Sequence, residues 1–208
     1  MNSVSYKVVE EKEGLREIAK ADINCVIWQR DVPEWVKQLP KAVFPAVDIC
    51  ISPDRELDFI KPRLSRYVGS QSTLYLTEDI KALLKIYSEL TKCRQARIRF
   101  LSLDKPMCPG FHTDTLVLRM ICTYIGTGTE WLPDEHVDRR YLGNYQQLED
   151  QENPLILDVS QIKRMPLYAV GLLKGSRYGS DTLGVVHRSP TWSSVPYYRL
   201  VVSIDGRE

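Results

Sequence analysis

The sequence contains no run of about eighteen apolar residues, so it offers no helix long enough to span a bilayer. The N-terminus, MNSVSYKVVEEKEGLREIAK, carries charge where a signal peptide needs an apolar core, and the expectation is a soluble, cytoplasmic protein. Neither charge sign is in excess. With 28 Lys and Arg against 27 Asp and Glu the net charge is +1, so no global field recruits nucleic acid or an anionic membrane, and any basic site must be local. Five cysteines (Cys25, Cys50, Cys93, Cys108, Cys122) are an odd number without a CxxC pair, which argues against a disulfide framework and for reduced thiols. There is no internal repeat and no low-complexity tract, and histidine is scarce, with three in the chain.

What is present changes character near Arg94. The 208 residues fit one large domain or a small domain with a helical extension. Before Arg94 helix signals dominate. LTEDIKALLKIYSELTKC has Thr77 as a cap, Glu78 and Asp79 in the first turn, and an apolar stripe of Ile80, Leu83, Leu84, Tyr87 and Leu90. NCVIWQRDVPEWVKQLP and RELDFIKPRLSRY read as short helices broken by Pro33, Pro40 and Pro62. After Arg94 come ARIRFLSL, TLVLRMICTYI, PLILDV, YAVGLLKG, LGVVHR and YYRLVVSI, rich in β-branched and aromatic residues and separated by turn formers. Short strands at that frequency suggest an antiparallel sandwich or barrel. The polar segment from Asp134 to Asn153 reads as a long excursion from it. The expected organisation is α+β: residues 1–93 as a helical N-terminal portion packed on residues 94–208, the two forming one compact unit.

The chemistry concentrates in PGFHTDTLVLRMICTYIGTGTEWLP. On an extended chain His112 and Asp114 share a face, so an imidazole and a carboxylate converge. His187 ends an apolar strand far downstream. Two histidines and an aspartate from separate strands make the 2-His-1-carboxylate facial triad, which holds Fe(II) on one side and leaves the other positions open. Twelve positions after His187 comes Arg199, on a strand whose alternation puts Val201 and Ser203 on its face. A guanidinium beside a hydroxyl suits a carboxylate such as the tail of 2-oxoglutarate.

From Cys108 onward this pattern resembles the Fe(II)/2-oxoglutarate-dependent dioxygenase superfamily, with its His-x-Asp, distal His and later Arg on a double-stranded β-helix, or jelly roll. More narrowly, CPGFHTDTLVLRMICTYIGTGTEWLP with VGLLKG and VHRSP resembles a bacterial family called domain of unknown function 1826, over most of the chain. The resemblance implies His112, Asp114 and His187 as metal ligands and Arg199 as the anchor of 2-oxoglutarate, beside which alternation sets Ser203 as a further donor. Arg119 and Tyr124 stand where prolyl-hydroxylase-like members run through an Arg to a Tyr, which implies that Tyr124 assists the cosubstrate. The implied function is a non-haem Fe(II) 2-oxoglutarate-dependent oxygenase; the sequence leaves its substrate open between a small molecule or an amino-acid side chain, the expected classes, and a modified base.

Each residue also has a plainer role. His112 and Asp114 can hydrogen-bond within a loop, His187 can be a buried imidazole bonded to backbone, and His136 reads as a solvated loop residue. Arg188 and Arg119 compete with Arg199 as anion binder. Cys108 and Cys122 raise zinc as the alternative metal but more simply pack as small apolar residues. Trp28 and Trp35 fall where a helical cap packs, and Trp131 and Trp192 flank the metal-bearing segments as core or pocket wall. The rival function is a non-enzymatic metal-binding jelly roll of zinc or iron homeostasis, which needs no anion anchor. No basic stripe or RNP-like motif suggests nucleic acid.

Overall fold

Strands buried on both faces organise the structure, and their two-residue alternation sorts side chains between two cores. The computed structural model describes residues 5–143, 148–180, 182–191 and 197–207. Among these the strands are β1 (Tyr6–Val9), β2 (Cys25–Trp28), β3 (Val47–Ile51), β4 (Gln95–Leu103), β5 (Leu118–Ile125), β6 (Glu130–Leu132), β7 (Lys163–Arg164), β8 (Val170–Lys174), β9 (Val186–Arg188) and β10 (Arg199–Arg207). A seven-stranded sheet has the order β1-β2-β8-β5-β10-β4-β3, and a three-stranded sheet the order β7-β6-β9. The pairings are antiparallel except β1 with β2. The helices are α1 (Glu34–Lys37), α2 (Lys61–Val68) and α3 (Ser70–Thr91). The protein is thus mixed α+β, with a large, almost wholly antiparallel sheet and few helices.

Ile98, Phe100, Met120, Leu172, Val202 and Ile204 leave the large sheet on one side and pack with Leu64, Leu76, Ile80 and Leu84 of α2 and α3. Burying each such side chain contributes about 1.5–3 kcal/mol. On the opposite side Cys25, Ile27 and Leu173 meet Trp131 and Met165. The back of the small sheet is covered where Phe111, Val137, Leu155 and Ile156 pack on Leu132 and Val186. The turn carrying the chain from β5 to β6 requires Gly126: its φ is +83°, and a Cβ there would overlap the Tyr198 carbonyl oxygen.

Several elements differ from expectation. Residues 1–93 are not wholly helical: β1 and β2 form one edge of the large sheet and β3 the other. CVIW was expected to lie in a helix; it is a strand because Cys25 and Ile27 are buried toward the small sheet and Val26 toward the helices, which erases any readable period. Helix α3 begins at Ser70, so Thr77 is not its cap. Its hydroxyl donates to the Thr73 carbonyl at 2.9 Å, which lets a polar residue sit on the buried face in mid-helix. PLILDV forms an isolated bridge, Ile156 with Val137, instead of a strand.

A buried ion pair ties α3 to the large sheet. Arg30 Nη1 donates to Asp79 Oδ1 at 2.7 Å, Arg30 Nε to the Tyr168 carbonyl at 2.9 Å, and the Tyr124 and Tyr168 hydroxyls donate to Asp79 at 2.6 and 3.0 Å. The guanidinium lies 3.6 Å from the Tyr168 ring centroid. Removing one member of such a pair strands the other. Asp79→Ala is expected to lower unfolding stability by about 3 kcal/mol in urea denaturation, with Asp79→Asn intermediate.

Candidate metal centre

The backbone brings two distant histidines together before their side chains are considered. His112 and His187 form an isolated antiparallel bridge, with His112 N donating to His187 O at 3.0 Å and His187 N to His112 O at 2.9 Å. Their rings, from opposed residues, stand 4.6 Å apart between centroids. Each Nδ1 faces a carbonyl oxygen, Gly110 at 2.9 Å for His112 and Val185 at 3.0 Å for His187. A carbonyl only accepts, so Nδ1 holds the proton and the Nε2 lone pair is left for a ligand. Burial pushes the His187 imidazole below its ordinary pKa, which also favours the neutral form, with Asp114 pulling the other way.

Asp114 supplies the third atom. His187 Nε2 lies 3.4 Å from Oδ2 and His112 Nε2 4.0 Å from Oδ1. The three ligand atoms fall within 4.8 Å of one another, and among the described residues the group includes no thiolate. Ligands at right angles around an ion stand about 3 Å apart, so a small contraction would close the set. Arg119 holds the carboxylate: Nη1 donates to Asp114 Oδ1 at 2.6 Å, while Nε donates to Asp205 Oδ1 at 2.8 Å. Arg99 Nη2 also donates to Asp205, at 2.6 Å. The buried Oδ2 of Asp114 accepts no hydrogen bond among the described residues. Arg119 Nη1 stands 2.6 Å from Oδ2 as well, so the guanidinium braces the whole carboxylate, the outer support that a carboxylate ligand would need.

A pocket opens beside the histidines, with about 450 Å³ not filled by protein, part of it open to solvent. Arg199, Val201 and Ser203 line it from alternate positions of β10. Arg199 is 4% exposed, and Nη2 donates to the Thr129 and Thr123 hydroxyls at 2.8 and 3.2 Å. Among the described residues no carboxylate comes within ion-pair distance of Arg199, and neither its Nε nor the buried Ser203 Oγ has a hydrogen-bond partner. Burial pulls the guanidinium pKa down, opposed by Tyr197 and Glu130. An arginine stays charged even so, and a buried cation with spare donors fits an incoming anion.

The other candidates have different surroundings. Tyr124, expected beside the cosubstrate, leaves β5 toward the helices and bonds Asp79, because residues 118, 120, 122 and 124 face away from residues 119, 121 and 123. Cys122 shares that side, with Arg30 Nη2 donating to its Sγ at 3.3 Å. Cys108 lines the pocket rim and its carbonyl accepts from Ser189 N at 2.8 Å. Arg188 is engaged: Nε with Glu130 at 2.8 Å, Nη1 and Nη2 with Asp150 at 2.6 and 2.7 Å. His136 is half-buried in a short turn outside the converging group. Trp131 is core, edge-on to Tyr6 at 4.7 Å, and Trp192 lies outside the described residues. Thr123, Thr129 and Asp205 were not singled out from sequence. The alternation that placed Arg199 with Ser203 also places Thr123 and Asp205 on the pocket face, but nothing in an isolated threonine announces a guanidinium partner.

The family model described as "Protein of unknown function (DUF1826)" matches residues 10–205. No curated protein matches the chain significantly. Among solved structures the chain is similar to a bsmA homolog from Methylobium petroleophilum PM1, with 16% identity, TM-score 0.33, and coverage of 70% of this chain and 53% of that one. It is also similar to the Fe(II)/(alpha)ketoglutarate-dependent dioxygenase TqaL, with 10% identity, TM-score 0.49, and coverage of 95% and 86%. A third is a Pseudomonas putida prolyl-4-hydroxylase, with 8% identity, TM-score 0.46, and coverage of 95% and 98%. None of the three reaches a TM-score of 0.5, so the side chains of the pocket carry the functional reading.

The ligand atoms come from segments held by sheet hydrogen bonds and apolar cores, so the fold should not depend on a metal. His112→Ala and Asp114→Ala are each expected to lose Co(II) or Fe(II) binding, followed by metal analysis and d–d absorption. Their metal-free thermal unfolding should stay within a few degrees of wild type. Global unfolding of both would mark the site as structural.

Proposed function

The chain belongs to the family described as "Protein of unknown function (DUF1826)", and from that premise, which names no reaction, we propose that it is a non-haem Fe(II) 2-oxoglutarate-dependent oxygenase, a hydroxylase working in the cytoplasm. The observation that carries this reading is Arg199: a buried guanidinium without a carboxylate partner among the described residues, with an undonated Nε, lining the pocket that His112 and His187 also line. A protein that merely stored or sensed a metal would have no use for an uncompensated cation there.

Residues 94–208 are assigned as a double-stranded β-helix (jelly roll), with residues 1–93 as its cover and edge strands. Support comes from chain path: β5 to β6, β7 to β8, β8 to β9 and β9 to β10 each pass between the two sheets. His112, Asp114 and His187 are the metal ligands, and the carboxylate and two imidazoles suit Fe(II), with zinc as the alternative. Fe(II) and 2-oxoglutarate, when bound, would supply the activation of O2 that hydroxylation requires. The protein's own part is positional. Arg119 braces the Asp114 carboxylate, and the two backbone carbonyls hold both imidazoles in the tautomer that can ligate. Arg199 holds the far carboxylate of the cosubstrate, with the Ser203 hydroxyl as a second donor. Leu101, Ile121 and Val201 give the pocket apolar walls that exclude water. The substrate is a small molecule or an amino-acid side chain.

The test is anaerobic titration of the Fe(II) protein with 2-oxoglutarate, followed by the visible charge-transfer band of the chelate. Wild type should show the band. Arg199→Ala should bind iron normally but the cosubstrate about a hundredfold more weakly, a loss of about 3 kcal/mol. No band at millimolar cosubstrate in wild type would favour the non-enzymatic protein of zinc or iron homeostasis.

A further inference from the structure

Arg99 and Arg119 line the metal pocket and also a second cleft, which Asp114 itself lines, with about 910 Å³ not filled by protein, part of it open solvent. Three neighbouring strands build its floor. In the register β10 Asp205 opposes Arg97 on β4 and Arg119 on β5, and Arg207 opposes Gln95. Residues two apart share a face, so Arg97, Arg99, Arg119 and Arg207 are presented together with Asp205. Arg177, beyond β8, is tied to the 114–117 wall by its backbone N–H, which donates to the Leu116 carbonyl at 3.0 Å.

The charges do not balance. Asp205 is shared by Arg99 and Arg119, Asp114 is taken by Arg119, and Asp48 takes Arg97 with Nε to Oδ1 at 2.7 Å. Among the described residues Arg177 and Arg207, both exposed, have no carboxylate within 4.0 Å, and the buried Arg99 Nε has no acceptor. Two free guanidinium groups and a buried spare donor match a dianion. A phosphate monoester carries nearly two charges at neutral pH and accepts paired N–H donors from arginine, whereas a lone carboxylate carries one. Among the described residues no aromatic lines the cleft, so a nucleobase would find no stacking surface there.

We propose that this cleft is a phosphate site for a small phosphorylated substrate, held by Arg177 and Arg207 with Arg99 beneath, while the part to be oxidised reaches along Asp114 into the metal pocket. Its role toward a substrate rests on the oxygenase reading, but its capacity to bind phosphate does not. The experiment is calorimetric titration of the metal-free protein with inorganic phosphate. Wild type is expected to bind, Arg177→Ala and Arg207→Ala each to weaken binding about tenfold, and Arg199→Ala and the distant Arg66→Ala to leave it unchanged. The proposal is overturned by absence of binding in wild type, by equal weakening in Arg66→Ala, or by loss in Arg199→Ala with Arg177→Ala unaffected. A single-stranded oligonucleotide that bound more tightly than phosphate would overturn the small-molecule assignment. The two readings separate cleanly. Phosphate binding without the 2-oxoglutarate chelate band defeats the oxygenase reading alone, and the band without phosphate binding defeats this one alone.

Discussion

Two reciprocal backbone hydrogen bonds between His112 and His187 set the position of everything else in the site. They join the segment entering β5 to the strand β9 of the small sheet, and they fix both imidazoles opposite one another across a single bridge. Asp114, two residues on, then has little freedom, and Arg119 on β5 takes up what remains by holding its carboxylate. The approach to the histidine pocket is built from sheet pairing, with hydrogen-bonded side chains added at the end.

Two buried arginines show opposite solutions to the same cost. Arg30 reaches Asp79, the Tyr168 ring and the Tyr168 carbonyl, the Tyr124 and Tyr168 hydroxyls complete the Asp79 carboxylate, and the result is a tie between α3 and the large sheet. Arg199 has two threonine hydroxyls and no close carboxylate among the described residues. The first arrangement is complete within the chain, so its effect is on stability. The second is incomplete within the chain, and an incomplete buried cation is sensible only where something else brings the negative charge. A chain of shared carboxylates links the pocket to the basic cleft: Arg119 contacts both Asp114 and Asp205, and Arg99 contacts Asp205. The near-neutral net charge conceals this local imbalance, because its counter-charges are distributed over the remaining surface.

Much of the second half was legible because alternation and turn residues are local signals. β5, β8 and β9 lie within the stretches read as extended and β4 and β10 overlap theirs, and the order His-x-Asp, His, Arg named His112, His187 and Arg199, which line one pocket, with Asp114 beside the two imidazoles. The failures were of two physical kinds. Cys25–Trp28 is covered on both faces, so its apolar run had no period to distinguish strand from helix. Tyr124 was misplaced because its neighbour in sequence, Thr123, faces the pocket; which parity of β5 points inward is decided by the layer that covers it.

By itself the sequence determined the strand-rich second half, the three side chains that converge and the arginine that lines the pocket beside the two histidines, because each depends on alternation or spacing along the chain. Only the tertiary structure decided that strands from before Arg94 complete both edges of the large sheet, and that Thr123 and Thr129 hold Arg199. It alone decided that Arg97, Arg99, Arg119, Arg177 and Arg207 share one cleft. These are contacts between residues far apart in the chain. Their partners are chosen by sheet register and layer packing, which no short window of sequence encodes.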